Sequence, residues 1–310
     1  MAGTLTQMFG TIKLLILAVL AYYIRDWRAL ILATVLPGIF VVFTFSMIPE
    51  SPRWLLSEGR VKEAEEIMKD AALINGVTIS KPIRLLSHSK GKGHSKHEVK
   101  DLFKHRVLCS ITLVLMFVWF TCSLVYYGIS LNLKNLGGDI YTNFAISASV
   151  EFPAYFCTIF FISWSGRRKS LFIFLLGTAT SCWCCMKYTY SASAFTMAAL
   201  AATGKFFITA TFALIYVFSA ELFPTVIRNL GMGVVSFTNR MGGVLAPFVV
   251  LMGEYDRSLP MLVFAVLSLM AAVISCSLPE TNCKALPETV EDCEMMFSNK
   301  KASKTGLIRT

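Results

Sequence analysis

Three ionisable side chains, Glu151, Lys205 and Arg240, stand inside otherwise apolar runs of this 310-residue chain. A charge at the centre of a membrane-spanning helix costs roughly 2.5–3.5 kcal/mol on insertion scales, so each is expected to face a cavity or a partner. One acid and one base suit a small zwitterion: Glu151 attracts an ammonium, and Arg240 grips a carboxylate through two parallel hydrogen bonds. The same residues also satisfy one another as a buried ion pair, Glu151 with Lys205 or Arg240, and spacing alone does not choose. Trp119, Tyr126, Tyr127, Phe212 and Tyr216 offer ring faces to a cation, although in a Phe-rich chain each alone is more often packing or an interface anchor. Pro153, two residues after Glu151, removes a backbone donor and is expected to loosen its helix there. There is no Ser-His-Asp arrangement, P-loop or dinucleotide fingerprint, so an enzyme is not expected, and no cofactor is implied.

The elements that must carry these charges follow from composition. Apolar residues make up 55% of the chain and charged residues 15%, with a mean hydropathy of +0.62. A soluble chain of this size needs roughly 25% charged residues. The fold class is therefore an all-α polytopic membrane protein, which excludes a soluble enzyme, a nucleic-acid-binding domain and a secreted disulfide scaffold. About 20 apolar residues cross the hydrocarbon core, and eight such runs are present: 4–24, 29–48, 107–128, 140–162, 171–188, 194–219, 229–253 and 259–278. Lys13 interrupts the first and is placed to snorkel to an interface. A signal peptide is disfavoured there, because no basic stretch precedes the apolar run.

Basic residues orient the spans. Of 29 Lys and Arg, 21 fall in the 49–106 loop, after the fourth and sixth spans, and in the tail. Both termini and the long loop are expected to be cytoplasmic, in a multi-pass protein of the plasma membrane. The net charge of +10 then reports loops held against an anionic bilayer face, not a nucleic-acid footprint. Within the long loop, 60–72 reads as an amphipathic helix stopped by Asn75-Gly76, and 87–97 is low-complexity. His88, His94, His97 and His105 all lie in this region, without the Cys or paired acids a metal site needs, so no metal is expected.

Three motifs carry a family likeness. The second span ends in Pro49-Glu50-Ser51-Pro52-Arg53-Trp54, the fourth leads into Gly166-Arg167-Arg168-Lys169, and the sixth ends in Ala220-Glu221-Leu222-Phe223-Pro224-Thr225-Val226-Ile227-Arg228-Asn229. Together they resemble the major facilitator superfamily. The last is similar to the organic cation, anion and carnitine transporters within it, whereas the first is shared with sugar porters. The resemblance implies transport of a small organic ion by alternating access, with Na+ or H+ as a possible coupling ion. It also implies a register. The chain resembles spans five to twelve of twelve: 1–48 as the last two helices of the first half, 49–106 as the cytoplasmic loop, 107–278 as the second six-helix half and 279–310 as the tail. Pro49-Glu50-Ser51 and Pro279-Glu280-Thr281 then close equivalent spans of the two related halves.

The resemblance gives the cytoplasmic motifs a gating role. Glu221 is expected to bond Arg167 or Arg168, with Arg228 beside it, while Glu50 and Arg53 meet a basic loop of the first half. Simple anchoring by the positive cluster is the plainer alternative. Ser163-Trp164 stands where the family usually has Asp-Arg, which weakens the clamp. Carnitine-type members combine an Arg at the place of Arg240 with a Tyr at that of Tyr155, as here. Glu151, Arg240, Tyr126, Tyr127, Tyr155, Lys205, Phe212 and Tyr216 are the expected substrate-binding set. A carnitine-like zwitterion is the leading substrate class and organic cations the next; a sugar suits midplane charge poorly. Substrate sites in such folds lie between the halves. The chain by itself is therefore expected not to transport. A truncated isoform or partial gene model, acting at most as a partner of a full-length transporter, stands as the alternative.

Overall fold

In the computed structural model the described residues are 2–45, 49–52, 55, 60–76, 99–132, 140–225, 227–282, 287 and 293. Arg53, the histidine-rich stretch 87–97 and the Asn135–Asp139 stretch lie outside them. The described elements are helices: α1 Ala2–Tyr23, α2 Trp27–Phe45, α3 Val61–Ile74, α4 Asp101–Lys104, α5 Arg106–Asn132, α6 Ile140–Ser149, α7 Glu151–Ser165, α8 Arg167–Tyr188, α9 Ala194–Leu222, α10 Arg228–Leu251 and α11 Leu259–Ser275. Five stretches, 106–132, 144–165, 167–188, 195–222 and 228–254, are long and apolar enough to cross a membrane, while 7–23, 27–39 and 259–275 are shorter apolar helices. The eighth expected run stops three residues early. There the Ser275 and Ser277 hydroxyls bond back to the Ala272 and Ile274 carbonyls, and backbone bonds of the tighter i to i−3 kind close the last turn.

The expected fourth span divides into α6 and α7 at one residue, Val150, which keeps right-handed helical dihedrals (φ −65°, ψ −22°), so that 144–165 still runs as one apolar stretch. Pro153 explains the break: it has no N–H for the Ser149 carbonyl, and its ring crowds that oxygen. The interruption sets Glu151 in the first turn of a new helix, α7, facing inward.

The chain forms two compact units, 1–23 with 97–310, and 24–96. In the second, α3 is amphipathic and ends at Asn75, whose side-chain amide donates to the Ala71 carbonyl at 2.7 Å, followed by Gly76 at φ +67. In the first, α5 packs on α10, α9 and α11, α8 packs on α9 and α11, and α1 joins this bundle against α6 and α7. The core between them contains Trp119, Phe174, Phe218, Phe223 and Phe264.

The α5–α10 contact is close because Gly242 lacks a side chain. A Cβ there would sit 2.4 Å from the Phe120 carbonyl oxygen, a backbone atom that cannot swing away. Small residues let membrane helices approach in this way. Gly242→Ala is therefore expected to cost about 1–3 kcal/mol by overpacking. A lowered thermal unfolding temperature in detergent checks this; an unchanged one contradicts so tight an approach.

Candidate functional site

Two constellations hold the charged residues singled out above. The first lies inside the bundle. Glu151, 2% exposed, and Lys205, 3% exposed, form an ion pair at 3.4 Å. The Tyr126 hydroxyl donates to Glu151 Oε1 at 2.6 Å, and the Thr11 hydroxyl from α1 donates to Oε2 at 3.2 Å. Lys205 Nζ donates to Ser130 Oγ at 2.6 Å and stands 3.2 Å from the centre of the Tyr126 ring. Four helices, α1, α5, α7 and α9, thus meet on one neutral, hydrogen-bonded pair. Of the two bases open to Glu151, the fold selects Lys205. Tyr155, one turn after Glu151, is also buried.

Arg240 is not part of this network. It is exposed on α10, and no hydrogen bond or ion pair reaches it among the described residues. One turn on, a Cβ at Gly243 would touch the Tyr127 ring at 3.3 Å, so an aromatic face adjoins the arginine's helix. Tyr127 stacks edge-on against Tyr126 at 5.3 Å. Tyr126 meets Phe212 at 5.7 Å, and Phe212 meets Tyr216 at 5.9 Å. Tyr127 and Tyr216 are 44% and 38% exposed, so they present free ring surface. Trp119, offered above as either ring face or packing, is packing: it is fully buried. Its indole N–H is spent on Ser219 Oγ at 2.9 Å, and it supports Tyr216 from behind at 4.5 Å.

The second constellation ties three helix ends. The Arg167 guanidinium donates to both Glu221 oxygens, Nη2 at 3.1 Å and Nε at 3.2 Å, and its Nη1 reaches Asn282. The Thr281 hydroxyl also donates to Glu221. Glu280 caps α8, accepting the backbone N–H groups of Arg167 at 2.8 Å and Arg168 at 3.1 Å. A carboxylate at a helix N-terminus meets unpaired donors and the positive end of the dipole. Gly166, at φ +83, brings the chain into this turn, and a Cβ there would press on the Glu280 carboxylate at 3.0 Å.

The other residues named for a gate sit elsewhere. Arg168 contributes its backbone to the cap but its side chain bonds no described acid. Arg228 folds onto its own corner, donating to the Phe223 carbonyl at 3.3 Å and the Thr225 hydroxyl at 3.2 Å. Glu50 pairs with Arg60 at 3.5 Å, where both are exposed and such a pair is worth little. Thr11, Ser130, Glu280, Thr281 and Asn282 are the residues that sequence reasoning missed as members of these networks. The recurrence of Pro-Glu-Ser as Pro-Glu-Thr was the signal for Glu280. Thr11 and Ser130 gave none beyond being polar in apolar runs.

With this geometry in hand, likeness to other proteins becomes informative. A family described as sugar (and other) transporters matches residues 1–292. This chain belongs to it. Within the family, the relatives include a solute carrier family 22 member 15-like protein of Xenopus laevis, 39% identical over 95% of this chain and 61% of its own. The organic cation/carnitine transporter 2 of Mus musculus is 39% identical over 91% of this chain and 51% of its own. An organic cation transporter protein of Drosophila melanogaster is 40% identical over 94% and 55%. The chain thus spans about half to three fifths of the length of these relatives. Among solved structures, the proton:xylose symporter XylE bound to 6-bromo-6-deoxy-D-glucose superposes with a TM-score of 0.66 at 18% identity, over 94% of this chain and 65% of that one. The fold is that of the major facilitator superfamily.

Proposed function

We propose that this chain forms one wall of a membrane transporter for small organic ions, with a carnitine-like zwitterion as the favoured substrate class. Arg240 carries the proposal. It is an exposed guanidinium without a described partner in a span where an unpaired charge is expensive. A substrate carboxylate supplies the missing charge through a two-pronged bond. The exposed rings of Tyr127 and Tyr216 offer the ammonium a cation–π surface, while Glu151, neutralised by Lys205, braces the wall from behind. The mouse relative's name, organic cation/carnitine transporter 2, supports this substrate class, and the fly relative's name supports organic cations more broadly.

Each charge-assisted bond is worth about 1.5–3 kcal/mol. In a transporter carrying this chain, Arg240→Gln is expected to weaken carnitine by roughly ten- to a hundred-fold while leaving tetraethylammonium close to wild type. Competitive uptake at matched surface expression reads this out; equal loss of both substrates removes the carboxylate role. The coupled ion in this reading is Na+ or H+.

The proposed setting is the plasma membrane, with both termini and the 49–106 loop cytoplasmic, as 21 of the 29 basic residues favour. Epitope tags beside His94 and after Thr310 are then accessible only in permeabilised cells. Labelling of either tag in intact cells contradicts this orientation.

A further inference from the structure

The outer seam between α8 and α11 contains two hollows that fall on one line. The first, about 420 Å³, lies at the Gly166 end of α8 and is lined by Ser165, Arg168, Lys169, Phe172, Ile173 and Cys276. The second, about 260 Å³, lies further along and is apolar; Leu176, Thr180, Trp183 and Cys184 line it from α8, and Val266 and Leu269 from α11. The α8 positions recur every three or four residues from 168 to 184, which places them on a single helix face, and Ser165, the last residue of α7, adjoins their start. On α11, Val266 and Leu269 stand three residues apart, and Cys276, just past the helix end, follows Leu269 by seven residues, two turns further along the same seam. The two hollows are therefore successive parts of one groove.

Its chemistry changes along its length. At one end stand two cations whose side chains pair with no described acid. Arg167 beside them is already bound to Glu221 and Asn282, and the nearby Glu280 carboxylate is occupied by the N-terminal backbone of α8. One turn below each cation comes an apolar residue, Phe172 under Arg168 and Ile173 under Lys169. Beyond them the lining carries no charge, and its polar groups are the Thr180 hydroxyl, the Cys184 thiol and the Trp183 indole N–H. From Phe172 to Trp183 the helix rises roughly 16 Å, close to the ~15 Å depth of one hydrocarbon leaflet. Ile173, Trp183, Val266 and Leu269 are each 41–52% exposed, so the groove is open at the side.

We propose that this groove is a binding site for one anionic phospholipid, its phosphate on Arg168 and Lys169 and an acyl chain lying between α8 and α11 toward Trp183. Charge complementarity selects the headgroup, since basic pockets between helices on the anionic face of a bilayer hold acidic lipids. The apolar continuation at leaflet depth selects a lipid over a free phosphate.

The test uses the purified protein in symmetric liposomes, so that its outcome does not depend on orientation or on transport. A trace phosphatidylserine carrying a diazirine near the end of one acyl chain is photolysed, and labelled peptides are mapped. Expected is labelling within residues 176–184 or 262–270, at least five-fold above a phosphatidylcholine probe with the same chain and unaffected by millimolar inorganic phosphate. The Arg168→Gln, Lys169→Gln double variant should reduce the phosphatidylserine signal to the phosphatidylcholine level. Val266→Trp, which fills the groove and spares the cations, should lower it at least five-fold and keeps the test valid if the double variant fails to fold. Equal labelling by both probes, labelling elsewhere or none, indifference to these substitutions, or competition by phosphate would each overturn the proposal.

Discussion

Lys205→Met is expected to remove most of the protein from the cell surface. The substitution leaves the Glu151 carboxylate buried with only the Tyr126 and Thr11 hydroxyls and no countercharge. Breaking a buried pair from one side typically costs about 3–5 kcal/mol, a large share of a stability usually between about 5 and 15 kcal/mol. Glu151→Gln should do comparable damage by stranding the ammonium of Lys205 beside Ser130. The double change, Glu151→Gln with Lys205→Met, removes both charges and should recover surface protein well above either single variant. Surface biotinylation of the three variants measures this. Normal expression of Lys205→Met would mean that the pair does not hold the bundle together.

A second large effect is expected at the Arg167–Glu221 clamp. Arg167 and Glu221 are 20% and 18% exposed, sheltered enough for their bonds to matter. Through them, with Glu280, Thr281 and Asn282, the starts and ends of α8, α9 and α11 are tied within a single bundle. Glu221→Ala removes a two-pronged acceptor and leaves the guanidinium with Asn282 alone. A loss of about 2–3 kcal/mol corresponds to roughly 30- to 160-fold faster local opening. Hydrogen exchange of the backbone amides at 166–172 and 279–282 should accelerate by that factor, while the core of α5 should not change. We propose further that this clamp gates the cytoplasmic side, so that the variant also shifts a transporter toward its cytoplasm-open form. Unchanged exchange at these amides would show that the contacts are ornamental.

Much of this was readable from residue types. Eight apolar runs announced the helices, and Pro153 announced the break beside Glu151, because a missing N–H acts locally. The cost of charge in an apolar run also stated that Glu151, Lys205 and Arg240 need partners. It did not say which. Glu151 and Lys205 lie 54 positions apart on α7 and α9, and only the rotation of α9 and α10 against α5 aims Lys205 inward and leaves Arg240 exposed. The choice of Arg167 over Arg168 is of the same kind, since neighbours on a helix point about 100° apart. For Trp119 residue type does not choose between ring face and packing, because an aromatic residue on an apolar helix carries no mark of which face is covered. The early end of α11 follows from hydroxyls bonding to their own helix, a competition that an apolar run conceals.

We propose a division of labour between the charges: the Glu151–Lys205 pair holds the bundle, and Arg240 meets the substrate. The most direct measurement is the ratio of carnitine to tetraethylammonium uptake per surface molecule in a transporter carrying this chain. It is compared across wild type, Arg240→Gln and the Glu151→Gln, Lys205→Met double variant. The ratio should fall roughly ten- to a hundred-fold in Arg240→Gln and stay near wild type in the double variant. A ratio that collapses in the double variant and holds in Arg240→Gln would contradict the account, placing the substrate on Glu151 instead.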